Sequence, residues 1–307
     1  MMFGMSGSVE ASVRRVLDAV GVTGFVHARA IDDAREVALD TDAPVVMASV
    51  FQVAVCLELY RQAAVAQVDL AERHLVPVAS RSPGPGRAAD DGARRRAVTG
   101  GPGYLMMAVS DNAATDVIIA RVGLERINAT LRSLGLERTV VASDCAGIGQ
   151  AIMDAVGASN PDDLPPLEDP HVRRRLLACP ALDLRTATGT SPREMTSLLA
   201  MIWRGEAGLV ASRNGVSWLM ARQFCHARMA GAFPFPPWVG AKSGSVPRRG
   251  QRGRGGDYLD GRRFAVAVFT RGRPVGQLPP AGQPRGAVGR AIGDVARLTV
   301  EHLATCP

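Results

Sequence analysis

The segment from Val50 to Ala66 constrains this chain more than any other. Its apolar residues fall on nearly every side of a helix instead of along one stripe, and such a helix must be enclosed by the rest of the molecule. The fold therefore has to close around it. Ser49, one residue ahead, sits in its first turn. There a serine lies beside backbone N–H groups without intrahelical partners, at the positive end of the helix dipole. Both favour negative charge developing at that point.

At 307 residues, 47% apolar and 21% charged, the chain can bury a large core and has an ordinary globular composition. It contains no run of about 18 uncharged apolar residues, so no membrane-spanning helix is expected. Glu10 and two arginines occupy the first sixteen residues, an order unlike a secretory signal, and a cytoplasmic location is the expectation. Cys56, Cys145, Cys179, Cys225 and Cys306 are scattered without C-x-x-C spacing, which points to buried free thiols and away from disulfides or a zinc site. No metal or other cofactor is expected. The net charge of +7 rests on arginine, because Lys242 is the single lysine of the chain. The Arg-rich stretch 248–254 lacks interleaved aromatics and reads as a solvated loop, so neither nucleic acid nor membrane is an expected partner.

Along the chain, helical spacing runs from Val9 to Val20, and short strands are expected at Thr23–Ala30 and Glu36–Leu39. Residues 80–103 read as loop. Helices follow at about Leu105–Val122 and Glu125–Leu134, with Gly135 as C-terminal cap. The proline-rich stretch 142–190 reads as largely irregular, apart from a short helix near His171–Ala178. Pro192 opens a helix to Trp203 with Thr190 or Ser191 as cap, and another spans Ser212–Phe224. Trp238–Ser245 and Phe264–Thr270 are strand-like, and Ala287–Leu303 is an amphipathic helix. This order predicts an α+β fold with an antiparallel sheet flanked by the terminal helices. One lobe comprises about 1–48 and 205–307, and an all-α lobe of about 49–204 is inserted in it.

Three short motifs stand in order on these elements: Ser49-Val50-Phe51-Gln52, Ser110-Asp111-Asn112 and Lys242-Ser243-Gly244 followed by Ser245. The set resembles the S-x-x-K, S-D-N and K-[TS]-G motifs of the penicillin-recognising serine enzymes, and class A β-lactamases in particular. The approach F-P-P-W-V-G-A-K-S-G-S and the segment T-S-P-R-E-M-T-S-L-L are similar to that family as well. The resemblance implies a five-stranded antiparallel sheet, an acyl-serine intermediate on Ser49 and an oxyanion hole from the N–H groups of Ser49 and Ser245. It also implies Ser110 as a bridge to Lys242, Asn112 as a substrate contact, and Lys242, Ser243, Gly244 and Ser245 as the strand that holds a substrate carboxylate.

Two departures stand against it. Gln52 occupies the place of the motif lysine, and an amide can hydrogen-bond but has no basic pKa with which to take a proton. The loop glutamate that activates the deacylating water falls near Asp144 and Cys145, where no glutamate stands; Glu168 and Asp183 are further carboxylates of that stretch. The readings left open are a serine hydrolase or acyl-transfer enzyme working through Ser49, Ser110 and Lys242 on a small carboxylated amide, ester or β-lactam-like metabolite, a repurposed pocket with other chemistry, and a non-catalytic small-molecule binder. Absence of an export signal favours an intracellular, biosynthetic role.

Overall fold

The computed structural model describes residues 8–76, 95–98, 100–160, 163–166, 169–224, 229–233, 238–245, 262–273 and 286–305. Helix α1 (Val9–Asp18) starts at Ser8, whose hydroxyl accepts from the Ala11 N–H, a side-chain cap for one of the unpaired donors of a first turn. It leads into β1 (Val22–Ala30), β2 (Glu36–Leu39) and the short β3 (Val45–Val46). A 3-10 turn over Ala48–Phe51 opens α2 (Gln52–Ala64), after which β4 (Arg73–Val76) pairs with β5 (Arg95–Val98). Then come α3 (Gly100–Ala108), α4 (Asn112–Val122), α5 (Leu124–Ser133), α6 (Cys145–Val156) and α7 (Pro170–Leu177). The chain closes with β6 (Gly189–Thr190), α8 (Pro192–Arg204), α9 (Val210–Met220), β7 (Phe264–Gly272) and α10 (Ala287–Thr305).

The main sheet has the order β2–β1–β7, antiparallel throughout, with Val26 opposite both Leu39 and Val268. Successive side chains of a strand point to opposite faces, and here both faces are covered. Val22, Val26, Ala28, Val266 and Val268 pack with Val13, Leu17, Ile292 and Val295 of the terminal helices. Phe25, Ala265, Ala267 and Phe269 join the larger core built around α2 with α4, α8 and α9. That double burial is why β7 is apolar without alternation from Phe264 to Phe269.

Helix α2 is buried from Gln52 through Leu59, as its all-round apolar sequence requires. The main exception to apolarity on the inner sheet face is His27, fully buried on β1. Its Nε2 lies 3.0 Å from Glu36 Oε2, and Nδ1 is hydrogen-bonded to the Thr196 hydroxyl on α8, which itself donates to the Arg193 carbonyl at 3.0 Å. Arg193 continues the link, reaching Glu36 at 2.9 Å and Asp42 at 3.0 Å.

Several expectations are corrected. The strand expected at Trp238–Ser245 joins no ladder among the described residues, whose main sheet has three strands. The helix expected from Leu105 to Val122 is two helices, broken where Ser110 takes φ +61°. Helix α3 already starts at Gly100, since glycine and proline are tolerated in a first turn. The stretch expected to be irregular contains α6, which opens at Asp144 and ends at Gly157 in the left-handed conformation. Its apolar residues bury a small core of their own with α7, including Met153, Val156, Val172 and Leu176.

Candidate active site

Ser49 lies in the 3-10 turn ahead of α2, half-buried between two buried neighbours. The turn is anchored by Met47 N–H to Thr188 C=O at 3.0 Å, next to the β3–β6 pair. Ala48 adopts φ +48°, a left-handed conformation costly for a residue with a Cβ. Neither the hydroxyl nor the amide N–H of Ser49 is hydrogen-bonded to another described residue. Gly244 presses directly on this turn. A Cβ at Gly244 would lie 2.6 Å from Ser49 N, 2.8 Å from Ala48 Cβ and 2.9 Å from Met47 O, so only glycine permits this approach.

Gln52, one turn along, is fully buried and sits in an oriented chain of hydrogen bonds. Thr115 Oγ1 donates to the Asp111 carbonyl at 2.6 Å and therefore accepts from Gln52 Nε2 at 2.9 Å. The Gln52 oxygen then faces Ser110, whose hydroxyl donates to it at 3.2 Å. Lys242 Nζ completes the chain by donating to Ser110 Oγ at 3.0 Å and to the Ser243 carbonyl at 2.9 Å. Lys242 is wholly buried, and these acceptors compensate for water its ammonium has lost.

Asp111 caps α4 by accepting from Ala114 N–H at 2.8 Å, and Asn112, half-buried, is the first helical residue. Ala241 N–H donates to Met220 C=O at 3.0 Å, holding the lysine segment against the end of α9. Gln223, also buried, faces Ser243. Its amide stands with nitrogen toward the Ala241 carbonyl at 3.2 Å, and oxygen accepting from both the Ser243 N–H and the Ser243 hydroxyl at 2.8 Å. The reverse orientation would set oxygen against oxygen. Gly244 is buried, whereas Ser245 is exposed. Arg222 lies over the Trp218 ring, 4.6 Å from its centroid.

The structure thus brings Gln52, Ser110 and Lys242 into one hydrogen-bonded row and sets Gly244 against Ser49. The loop carboxylates do not join it. Asp144 caps α6 by accepting from Gly147 N–H at 2.8 Å, and Asp183 pairs with Arg185 at 2.7 Å. Glu168 and Arg248 lie outside the described residues. Cys145 is a buried thiol whose pKa is pushed well up by burial and by the neighbouring Asp116, which leaves it unreactive. Asp116 holds the start of α6, accepting from the N–H groups of Cys145 at 2.7 Å and Ala146 at 3.0 Å. Sequence reasoning missed Thr115 and Gln223. Thr115 was visible as a polar residue on an otherwise apolar face, but no sequence signal marks Gln223.

The arrangement, a half-buried serine at a helix start with a half-buried serine bonded to a buried lysine beside it, agrees with comparisons to known proteins. The chain folds like a β-lactamase from Sphaerobacter thermophilus, with 21% identity, a TM-score of 0.74, and 97% and 98% of the two chains covered. It is similar to a β-lactamase from Chitinophaga pinensis at 15% identity and TM-score 0.75, covering 96% and 99%. It also matches a variant of PBP-A solved as an acyl-enzyme complex with penicillin G, at 19% identity and TM-score 0.70, covering 97% of each chain. No curated protein matches the sequence significantly. The sequence model of the β-lactamase enzyme family matches residues 8–303, and with that span, nearly the whole chain, the protein belongs to the β-lactamase enzyme family.

Proposed function

We propose that the protein is an acyl-transfer enzyme or serine hydrolase that forms an acyl-serine intermediate on Ser49 with a small amide, ester or β-lactam-like metabolite, in intracellular biosynthetic metabolism. One observation carries this reading: Ser110 Oγ is held between Lys242 Nζ at 3.0 Å and Gln52 Oε1 at 3.2 Å, in the row that starts one turn after Ser49. Gln52 replaces the lysine of the family motif and orients Ser110 without exchanging a proton.

The proton route then runs through Ser110. When Lys242 is a neutral amine, the Ser110 hydroxyl turns from Gln52 to Lys242 and gives up its proton there. Ser110 Oγ takes the proton of Ser49 in the same step, and Ser49 Oγ bonds to the substrate carbonyl carbon. Reversal of this path protonates the leaving group. The unpaired N–H of Ser49 is one donor for the developing oxyanion, and the N–H of Ser245 is the expected second.

A second reading, a small-molecule binding protein with the same pocket, is favoured by the engagement of Asp144 and Asp116 with backbone N–H groups. Intact-mass measurement after incubation with penicillin G or an activated aryl ester separates the two. The acyl-transfer reading expects an adduct that is absent from Ser49→Ala. Failure of several acylating agents to label the wild type overturns it in favour of a binder or a pocket with other chemistry.

A further inference from the structure

All three polar groups of Ser243 are engaged inside the protein. Its carbonyl accepts from Lys242 Nζ at 2.9 Å, and its N–H and hydroxyl both donate to the Gln223 amide oxygen at 2.8 Å. A serine hydroxyl has one proton to donate. With that proton committed to Gln223, Ser243 offers an incoming group lone pairs only. A carboxylate presents lone pairs as well and finds no donor there, whereas a neutral substituent incurs no such repulsion.

The residue after Gln223 strengthens the point. Phe224 N–H donates to the Ala108 carbonyl at 2.8 Å, two residues before Ser110, so the pair Gln223–Phe224 bridges the second and third motifs. Phe224 is 82% exposed. Gln223 itself is 4% exposed and reaches no ligand position directly.

We infer that Gln223 is a positioning residue that sets substrate class: by withdrawing the Ser243 hydroxyl proton, it turns this subsite from carboxylates toward acyl donors bearing an uncharged neighbouring group, such as an ester, amide or alkyl. The inference rests on the acyl-transfer reading for its chemistry but concerns binding, so the two fail separately.

The test compares penicillin G with its methyl ester. Acylation of wild type is followed by intact mass, and equilibrium binding to Ser49→Ala by calorimetry. The wild type is expected to favour the ester or to show no preference. Gln223→Met keeps the volume, removes the acceptor and frees the hydroxyl, and should shift the carboxylate-to-ester ratio toward the carboxylate by about ten-fold, the scale of one hydrogen bond to a charged group. Adding Ser243→Ala to Gln223→Met should abolish that gain. Gln223→Ala serves as the second variant, and melting temperatures show that each is folded. An unchanged ratio in a folded Gln223 variant, or a gain that survives Ser243→Ala, overturns the inference. Binding that follows the predicted ratios without any adduct upholds it, and overturns the acyl-transfer reading instead.

Discussion

Lys242 Nζ donates to Ser110 Oγ across 3.0 Å, and removing either group takes one hydrogen-bond partner from the other. Ser110 further satisfies Gln52, so one hydroxyl serves two buried partners belonging to different segments. Its backbone at φ +61° places it between α3 and α4 where both can reach it.

Ser110→Ala is therefore expected to act twice. Leaving Lys242 and Gln52 short of a partner costs about 1–3 kcal/mol of stability, read from urea unfolding. Loss of the proton relay slows acylation of Ser49 by roughly a hundredfold or more, read from adduct growth by intact mass. A variant that is destabilised but acylates at the wild-type rate would move the proton path away from Ser110.

Gln52→Lys places a second amine within two hydrogen bonds of Lys242, in a position with no exposure. Like charges so close in a dry site drive one lysine to the neutral form near pH 7, giving Ser49 a base one turn away. Adduct formation with penicillin G should accelerate at least ~10-fold, the lower part of the range for a positioned base, and should rise with pH. Slower acylation in a folded variant would show that the pocket, not only its base, differs from that of its relatives.

Gly244→Ala drives a methyl group to 2.6 Å from Ser49 N and 2.9 Å from Met47 O, both backbone atoms that cannot rotate away. The lysine segment has to retreat from the serine turn. A stability loss of about 1–3 kcal/mol is expected from overpacking, with acylation of Ser49 falling by a larger factor than stability explains. Thermal unfolding and adduct rates on the same preparation test this.

Acid should weaken the fold through the His27 cluster. Burial is the main cause holding His27 below its ordinary value of 6.5, against the opposing pull of Glu36 and with Arg193 and Arg29 adding to the depression. Between its folded pKa and 6.5 the unfolded chain binds more protons, so stability decreases as pH falls through that window. Burial raises the pKa of Glu36, but hydrogen bonds from His27 and Arg193 outweigh it and leave the carboxyl below 4.5. Its contribution, present above 4.5, is lost at still lower pH. Urea midpoints should drop from pH 7 to pH 5, and His27→Gln should flatten the upper part of that dependence. A midpoint independent of pH over this range would contradict the assignment.

The sequence made the buried helix, its leading serine and the terminal helices readable, because apolar spacing reports burial directly. α1, β1, β2, α8, β7 and α10 lie close to where periodicity puts them. Capping chemistry went partly unread: Asp144 looked like a stray loop carboxylate, yet it opens α6. The break at Ser110 went unread although Asp111 is a capping residue: it accepts from the Ala114 N–H and starts α4 there. Gln223 could not be foreseen, since its partner Ser243 is 20 residues away and nothing local distinguishes it from a solvated glutamine. Thr115 shows the intermediate case, detectable as an oddity on an apolar face but not as the partner of Gln52.

Asp116 and Asp144 both commit carboxylate oxygens to the opening turn of α6. Carboxylates in that role steady a helix and are poorly placed to prime a water. On the acyl-transfer reading, a bond made at Ser49 would then outlast the encounter that formed it.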